Sequence, residues 1–211
     1  MPRRPIDRFL IRVLLWLAPA FVIWWYALGS LLLLPVAGWT HWVLTYCFPQ
    51  AIAAVEAHGI TVDIVTQFLT TAPEPIAPSP GAQAQLIFTL NALKYTYGLP
   101  LLLALTLAAP TKIGDKLYRT IMGSLVFLLI PVWGLVCEAL KVLVFQMEPA
   151  IAAQMGSTPL TRELLALAYQ LGYLILPAVA PMLIWAALHR DFLREWLPQA
   201  QQRQSIASPV D

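Results

Sequence analysis

The feature that most constrains this chain is a set of apolar stretches long enough to cross a lipid bilayer. Residues 10–36 form the longest of them, and Arg12 is its only charged residue. A spanning helix needs about 20 apolar residues, because the hydrocarbon core is about 30 Å thick and each residue rises about 1.5 Å. Three further stretches, at 95–110, 120–140 and 164–188, approach this length. The sequence therefore predicts an α-helical integral membrane protein with four transmembrane helices.

The overall composition agrees with this class of protein. Of the 211 residues, 59% are hydrophobic and only 11% are charged. Soluble domains carry about 25% charged residues, so an ordinary soluble fold is excluded. Disorder is excluded as well, because so apolar a chain does not stay solvated. The net charge of +2 is too small to indicate nucleic-acid binding, which leaves the lipid bilayer as the first predicted partner.

The positions of lysine and arginine predict the orientation, since cytoplasmic loops carry an excess of both. In a four-span arrangement, 10 of the 13 basic residues fall on one side. They lie in or next to the N-terminal segment 1–9, the loop 111–119 and the tail 189–211. Both termini are therefore predicted to be cytoplasmic, and the loops 37–94 and 141–163 to be extracytoplasmic.

The segment 37–94 is long enough to carry structure of its own. A surface helix is predicted over 40–57, where polar residues are interspersed among apolar ones. Alternation of apolar and polar residues predicts two strands, at 60–69 and 83–93. A proline-rich linker at 72–81 joins them, because its prolines disfavour both helix and strand pairing. The prediction is a small extracytoplasmic α+β cap that contains a two-stranded antiparallel pair.

Polar residues near the outer ends of the predicted helices form the candidate site, because charges next to lipid are rare and often functional. Glu138 and Lys141 are three residues apart, which places them on one helix face where an ion pair can form. Lys94 lies at a similar depth, so either Lys141 or Lys94 is predicted as the counter-charge of Glu138. Such groups also serve simply to fasten helices, but their convergence favours a surface that binds a partner. The candidate partner-binding residues are Asn91, Lys94, Tyr97, Glu138, Lys141, Tyr169 and Gln170.

Cys137 is the strongest candidate nucleophile in the sequence. A reactive thiol needs a nearby base or cation, and His41, His58 and Arg162 all lie on the predicted outer side. Against this role, the neighbours of Cys137 are apolar apart from Glu138, whose negative charge disfavours a thiolate. A membrane cysteine peptidase or transpeptidase that uses Cys137 is therefore one alternative function, and no other catalytic residue is predicted.

No cofactor or metal site is predicted. The three histidines are far apart in the sequence, and the two cysteines form no metal-binding motif. The sequence contains no HExxH, no GxSxG and no phosphate-binding loop. A small transporter or channel subunit is a second alternative, although the ionisable residues gather at the outer ends of the spans and not at their centres.

Four phrases of the sequence carry a resemblance to one family. They are FLIRVLLWLAPAFVIWWY at 9–26, NALKYTYGLPLLLALTLAAP at 91–110, IPVWGLVCEALK at 130–141 and YQLGYLILPAVAP at 169–181. Together they resemble the exosortase H-associated membrane proteins. The resemblance implies a multi-pass protein of the bacterial inner membrane that accompanies an exosortase, a cysteine transpeptidase that cleaves C-terminal sorting tags. Because this family has no assigned catalytic residues, it implies a non-catalytic accessory that binds the sortase or its tagged substrate.

Overall fold

The computed structural model describes residues 5–71, 83–147 and 149–194. Within them the chain forms a helical bundle with a small sheet at one end. The helices are α1 (Pro5–Ile23), α2 (Gly29–Cys47), α3 (Leu99–Ala108), α4 (Ile113–Phe127), α5 (Leu129–Lys141), α6 (Pro149–Gln154), α7 (Pro159–Gln170) and α8 (Leu176–Leu188). The strands are β1 (Ile52–His58), β2 (Thr61–Thr71) and β3 (Gln83–Asn91). The predicted linker at 72–81 lies outside the described residues.

Among the described residues, three helical stretches are long and apolar enough to cross a membrane: Ile6–Cys47, Ile113–Gln146 and Pro159–Leu188. Short π-helical turns, at Trp24–Leu28 and Leu171–Ile175, join the two α-helices within the first and the last of them. A π-helical turn adds a residue without ending the helix, so each stretch stays continuous. Large apolar side chains on these stretches are exposed, as lipid contact requires, for example Leu14, Trp25, Leu34, Leu125, Leu174 and Leu183.

The helix at the predicted span 95–110 is much shorter than the other three. Helix length therefore does not confirm a count of four spans. Helix α3 has 10 residues, equivalent to about 15 Å of rise. Ala109 is extended because the following Pro110 disfavours helical backbone before it. Helix α3 lies centrally, in contact with α1, α4 and α8, and none of residues 99–109 is exposed. Six of its ten residues are buried and the other four are partly exposed, so most of its surface packs against protein.

The predicted spans 120–140 and 164–188 lie within longer helical stretches, Ile113–Gln146 and Pro159–Leu188, of which only the first continues past its predicted end. Helix α4 starts at Ile113, within the predicted loop 111–119, and the helix that follows it continues through a π-helical turn to Gln146. Helix α7 starts at Pro159, where the Thr158 hydroxyl accepts a hydrogen bond from the N–H of Thr161 at 3.2 Å. The predicted loop 141–163 is therefore largely helical. Bilayer thickness sets the minimum length of a spanning helix, and the helix can continue beyond the bilayer.

The cap is a three-stranded antiparallel sheet in the order β1-β2-β3, one strand more than predicted. Strands β2 and β3 pair in the predicted antiparallel sense. The surface helix predicted over 40–57 is wrong, because α2 ends at Cys47 and the chain then forms β1. Pro49 follows the end of α2, and Gly59, with φ of +63°, turns β1 back onto β2. Pairing with β2 therefore overrides the helix-like composition of this segment.

The sheet is fixed to the bundle through a shared apolar core. One face of the sheet packs against helices α2 and α5. The core members from the sheet include Ile52, Val62, Ile64 and Leu90, and those from the helices include Leu33, Val36, Leu44, Leu135 and Leu143. Burial of this many large apolar side chains holds the cap in one position over the ends of the helices.

Candidate functional site

The candidate site is built around residues 91–98, a segment that joins β3 to α3 and that we call the connector. Asn91 begins it, and its side-chain Oδ1 accepts a hydrogen bond of 3.0 Å from the N–H of Leu93. This bond caps the short 3-10 turn Ala92–Tyr95, which an asparagine at such a position favours. The predicted site residue Asn91 therefore has a structural role in shaping the connector.

The far half of the connector contacts the first and the last long helices. The indole N–H of Trp24 donates a hydrogen bond of 3.1 Å to the Thr96 hydroxyl, and both groups are buried. Gly98 lies so close to the backbone of Pro177 that a Cβ on it would collide with the Pro177 carbonyl. The connector is thus held at both ends, and its position does not depend on the sheet alone.

Glu138 is the centre of the polar contacts at the site. The ammonium of Lys94 forms an ion pair with its Oε1, and the hydroxyl of Tyr95 donates a hydrogen bond of 2.9 Å to its Oε2. The Glu138 side chain is 8% exposed and that of Lys94 is 30% exposed. A carboxylate buried to this degree needs a counter-charge and hydrogen bonds, and each oxygen has a partner. Of the two lysines predicted as its counter-charge, Lys94 is the one that pairs with it.

The Tyr95 ring packs against Gly134, which lies one turn before Glu138 in α5. A Cβ on Gly134 would collide with this ring, so only glycine permits the contact. Gly134 and Glu138 are four residues apart and share one face of α5. Neither Tyr95 nor Gly134 is among the predicted site residues. The available signal was a tyrosine beside Lys94 and a small residue one turn before Glu138.

Lys141 has an aromatic partner and not the predicted carboxylate. Its Nζ lies 4.1 Å from the centroid of the Tyr169 ring, within the range of a cation–π interaction. Tyr169 in turn stacks on Tyr173, with centroids 5.9 Å apart and rings nearly parallel at 3°. Tyr173 meets Tyr95 edge to face at 6.2 Å. A row of aromatic rings therefore connects Lys141 to the connector.

Two of the seven predicted site residues stand apart from this cluster. Tyr97 is 37% exposed, and Gln170 is exposed as well. Neither side chain makes a hydrogen bond to another residue in the described part of the chain. The structure thus pairs Lys94 with Glu138 and Lys141 with Tyr169, gives Asn91 a local capping role, and leaves Tyr97 and Gln170 at the surface.

The surroundings of Cys137 do not supply the activation that a nucleophile needs. Its side chain is buried, and both cysteines of the chain are free thiols. Each of the three side chains considered as an activating base or cation contacts a different group. These groups are the N–H of Val55 for His41, the carboxylate of Asp63 for His58 and the hydroxyl of Ser157 for Arg162.

Metal-binding side chains do not cluster either. No three histidine, cysteine, aspartate or glutamate side chains of residues 5–71, 83–147 and 149–194 lie close enough together to hold one ion. The arrangement at the site is therefore an ion pair, hydrogen bonds and aromatic contacts. Chemically, it suits recognition and the support of the connector.

The fold and the site define a class of protein: a small polytopic membrane protein with a sheet fixed over one end of its helices. The family described as exosortase H-associated membrane protein matches residues 3–192. The chain belongs to this family, which confirms the resemblance of its sequence. Comparisons with curated proteins and with solved structures return no match.

Proposed function

We propose that this chain is a non-catalytic accessory of an exosortase sorting system that binds the sortase or its C-terminally tagged substrate at the cap. One observation carries the proposal: the cap is fixed to the helices, the sheet through a shared apolar core and the connector through the Lys94–Glu138–Tyr95 contacts. A surface that is ordered before binding loses less conformational entropy on association. Family membership supplies the exosortase context.

In this proposal the chain crosses the bacterial inner membrane four times, with both termini in the cytoplasm and the cap outside. Arg8 precedes the first predicted span and Arg12 lies at its start, while Lys112, Lys116 and Arg119 follow α3, as the excess of basic residues on the cytoplasmic side requires. The shortness of α3 is compatible with a crossing because other helices surround it. Lys116 Nζ also donates a hydrogen bond of 2.8 Å to the carbonyl of Leu107, near the C-terminal end of α3.

Labelling of single cysteines with a membrane-impermeant maleimide tests this topology. In a background without Cys47 and Cys137, Glu56→Cys in the cap is expected to react in intact spheroplasts. Lys112→Cys is expected to react only after the membrane is permeabilised. Both positions are exposed in the structure, so accessibility reports the side of the membrane. A reactive Lys112→Cys in intact spheroplasts, or an unreactive Glu56→Cys, would contradict the topology.

Co-purification tests the proposed partner. The full-length chain carrying an affinity tag is expressed together with an exosortase and a tagged substrate, crosslinked in native membranes and purified. We expect the exosortase or the substrate to be retained, with a helical membrane protein of unrelated family as the control. Absence of both, together with normal tag cleavage in cells that lack the chain, would overturn the proposal.

A further inference from the structure

The two edges of the cap sheet differ in how they are covered. Strand β1 lies against α2, where the N–H of Val55 donates a hydrogen bond of 3.2 Å to Nδ1 of His41. Strand β3, at the other edge, pairs only with β2 among the described strands. An edge with unpaired N–H and C=O groups is a template for a further strand. The open edge is therefore that of β3.

The register of the sheet shows which backbone groups of β3 face outward. The N–H of Ala92 donates a hydrogen bond of 3.3 Å to the carbonyl of Ile60, which flanks the pair Thr61 and Asn91. In an antiparallel ladder such a bond marks the flanked pair as one without mutual hydrogen bonds. The backbone groups of Asn91 therefore point away from β2.

Alternation along the strand extends this assignment. The pairing of β3 with β2 is regular from Asn91 back to Ile87, so the backbone groups of Thr89 and Ile87 also point outward. Leu86, next in the strand, faces β2, since its carbonyl accepts a hydrogen bond of 2.9 Å from the Thr66 hydroxyl. Within the described residues no group hydrogen-bonds to the outward backbone atoms of Ile87 and Thr89. Their side chains are exposed too.

Strand β3 lacks the features that usually prevent edge-to-edge pairing. Proteins protect open edges with charged side chains, with proline or with a covering element. The nine residues QAQLIFTLN of β3 contain neither a charge nor a proline. Within the described residues no strand pairs with this edge, so its composition and its free backbone groups allow a further strand to add to it.

A cleft of about 470 Å³ opens at the start of β3. The sheet side of the cleft is formed by Phe68, Leu69 and Leu86, and the opposite side includes Met147 and Ile151. None of the described residues that line it is charged. Gln67, Gln146 and Gln154 also line the cleft, beside the apolar side chains. A strand added to an edge gains specificity when pockets receive its alternate side chains, and the apolar side of this cleft suits an apolar one.

We infer that β3 receives an extended, uncharged peptide segment of a partner protein as a fourth strand, with an apolar side chain in the cleft. The inference rests on the proposed function, since that partner is the sortase or its substrate. Outward backbone groups recur at every second residue, a spacing that matches an extended chain and not a helix.

Amide exchange and peptide binding test the inference on the full-length chain in nanodiscs. The probe is a fluorescein-labelled peptide of about ten alternating valine and threonine residues with blocked ends, and the control probe has proline in place of valine. In the free protein, the amides of Ile87 and Thr89 are expected to exchange faster than those of Phe88 and Leu90. The valine–threonine peptide is expected to slow the exchange of Ile87 and Thr89, and the proline peptide is not.

Substitutions at the outward positions make the test specific. Ile87→Pro removes one outward N–H that the fold does not use, so we expect about tenfold weaker peptide binding and a nearly unchanged melting temperature. Ile87→Val, the matched control, keeps the N–H and is expected to bind within about twofold of wild type. Thr89→Lys compared with Thr89→Val repeats the test with a charge on the edge.

The outcomes separate this inference from the proposed function. Equal binding by Ile87→Pro and Ile87→Val, or no binding by the wild type, would overturn the inference. Protection of the β3 amides without peptide, with crosslinks between two copies through this strand, would do the same and assign the edge to a dimer. Exosortase capture from native membranes is measured in parallel. Capture that persists while peptide binding is absent would overturn only the assignment of the β3 edge.

Discussion

The hydroxyl of Tyr95 donates a hydrogen bond of 2.9 Å to Oε2 of Glu138, while the Tyr95 ring lies on Gly134 one turn earlier in the same helix. This contact joins the connector between the cap and α3 to helix α5. Because Lys94 pairs with the other oxygen of the carboxylate, two consecutive connector residues hold one buried charge. These side chains therefore fix the connector to α5, in addition to the apolar core that holds the sheet on the helices.

The first prediction concerns the hydrogen bond of Tyr95. Tyr95→Phe removes a donor to a buried carboxylate and is expected to lower the free energy of unfolding by about 1–3 kcal/mol. The measurement is SDS titration of the purified protein, followed by circular dichroism. Tyr173→Phe is the control, because the Tyr173 hydroxyl has no hydrogen-bond partner in the described part of the chain. Equal effects of the two substitutions would contradict the assigned role of Tyr95.

The second prediction concerns the glycine beneath the Tyr95 ring. Gly134→Ala places a Cβ where the ring lies and is expected to destabilise the fold by about 1–3 kcal/mol. Gly38→Ala is the matched control, since Gly38 is also helical and an added Cβ there meets nothing within 4 Å. The control is expected to be neutral or slightly stabilising, because alanine favours helix over glycine. An unaffected Gly134→Ala protein would show that the ring contact is not tight.

The third prediction separates support of the fold from recognition at the ion pair. Glu138→Gln leaves the ammonium of Lys94 without its counter-charge at a mostly buried position, and we expect lower protein abundance in the membrane. Lys94 is more exposed than Glu138, and its stem can lie along apolar surface while the ammonium meets a partner. Lys94→Gln is therefore expected to accumulate at a higher level than Glu138→Gln and yet to capture less exosortase. Normal capture by a well-expressed Lys94→Gln protein would end the recognition role of this lysine.

Much of the helical framework could be predicted from the sequence because long apolar stretches have few stable solutions in a bilayer. The alternation around 60–69 and 83–93 likewise predicted the antiparallel pairing of β2 with β3. These signals are local: the period of the apolar residues within one segment decides the structure of that segment. The ion pair of Glu138 with a lysine was also predictable, since a buried carboxylate needs a counter-charge.

The features that escaped prediction depend on contacts between distant parts of the chain. Strand β1 is rich in alanine and forms a strand only because β2 pairs with it and α2 covers its other edge. The central position of α3 depends on its contacts with α1, α4 and α8, which lie far from it in the sequence or follow it. The contact of Tyr95 with Gly134 requires the connector to cross α5 at one particular turn. No periodicity within a single segment carries that information.

The fourth prediction addresses the alternative of cysteine chemistry. Cys137→Ala is expected to leave tag processing unchanged in cells that depend on this chain. The thiol is buried, and His41, His58 and Arg162 each contact another group. A small loss of stability is expected from the shortened side chain. Processing is measured from the ratio of uncleaved to cleaved substrate, with Cys47→Ala as the control. Abolished processing by a Cys137→Ala protein of normal abundance would instead establish the thiol mechanism.

The last prediction concerns pH and the end of the bundle opposite the cap. His189 follows α8, is fully buried and stacks on Trp185, and its Nδ1 lies 3.0 Å from the Trp185 carbonyl. Burial lowers the pKa of His189 below its ordinary value of 6.5, and the positive charge of Arg119 lowers it further, although the hydrogen bond to the Trp185 carbonyl acts in the opposite sense. The imidazole is therefore neutral in the fold and donates its Nδ1–H to that carbonyl.

The sign of the pH effect follows from this lowered pKa. Because the unfolded chain binds a proton at a higher pH than the fold does, stability is complete above about pH 6.5 and is lost as the pH falls through the lowered pKa. We expect the melting temperature in detergent to fall between about pH 7.5 and about pH 5.5, and to fall less in His189→Gln, whose amide can still donate to the Trp185 carbonyl. His58→Gln is the control, because His58 is exposed and lies in the cap. An equal fall in wild type and His189→Gln would mean that His189 does not set the acid sensitivity of the fold.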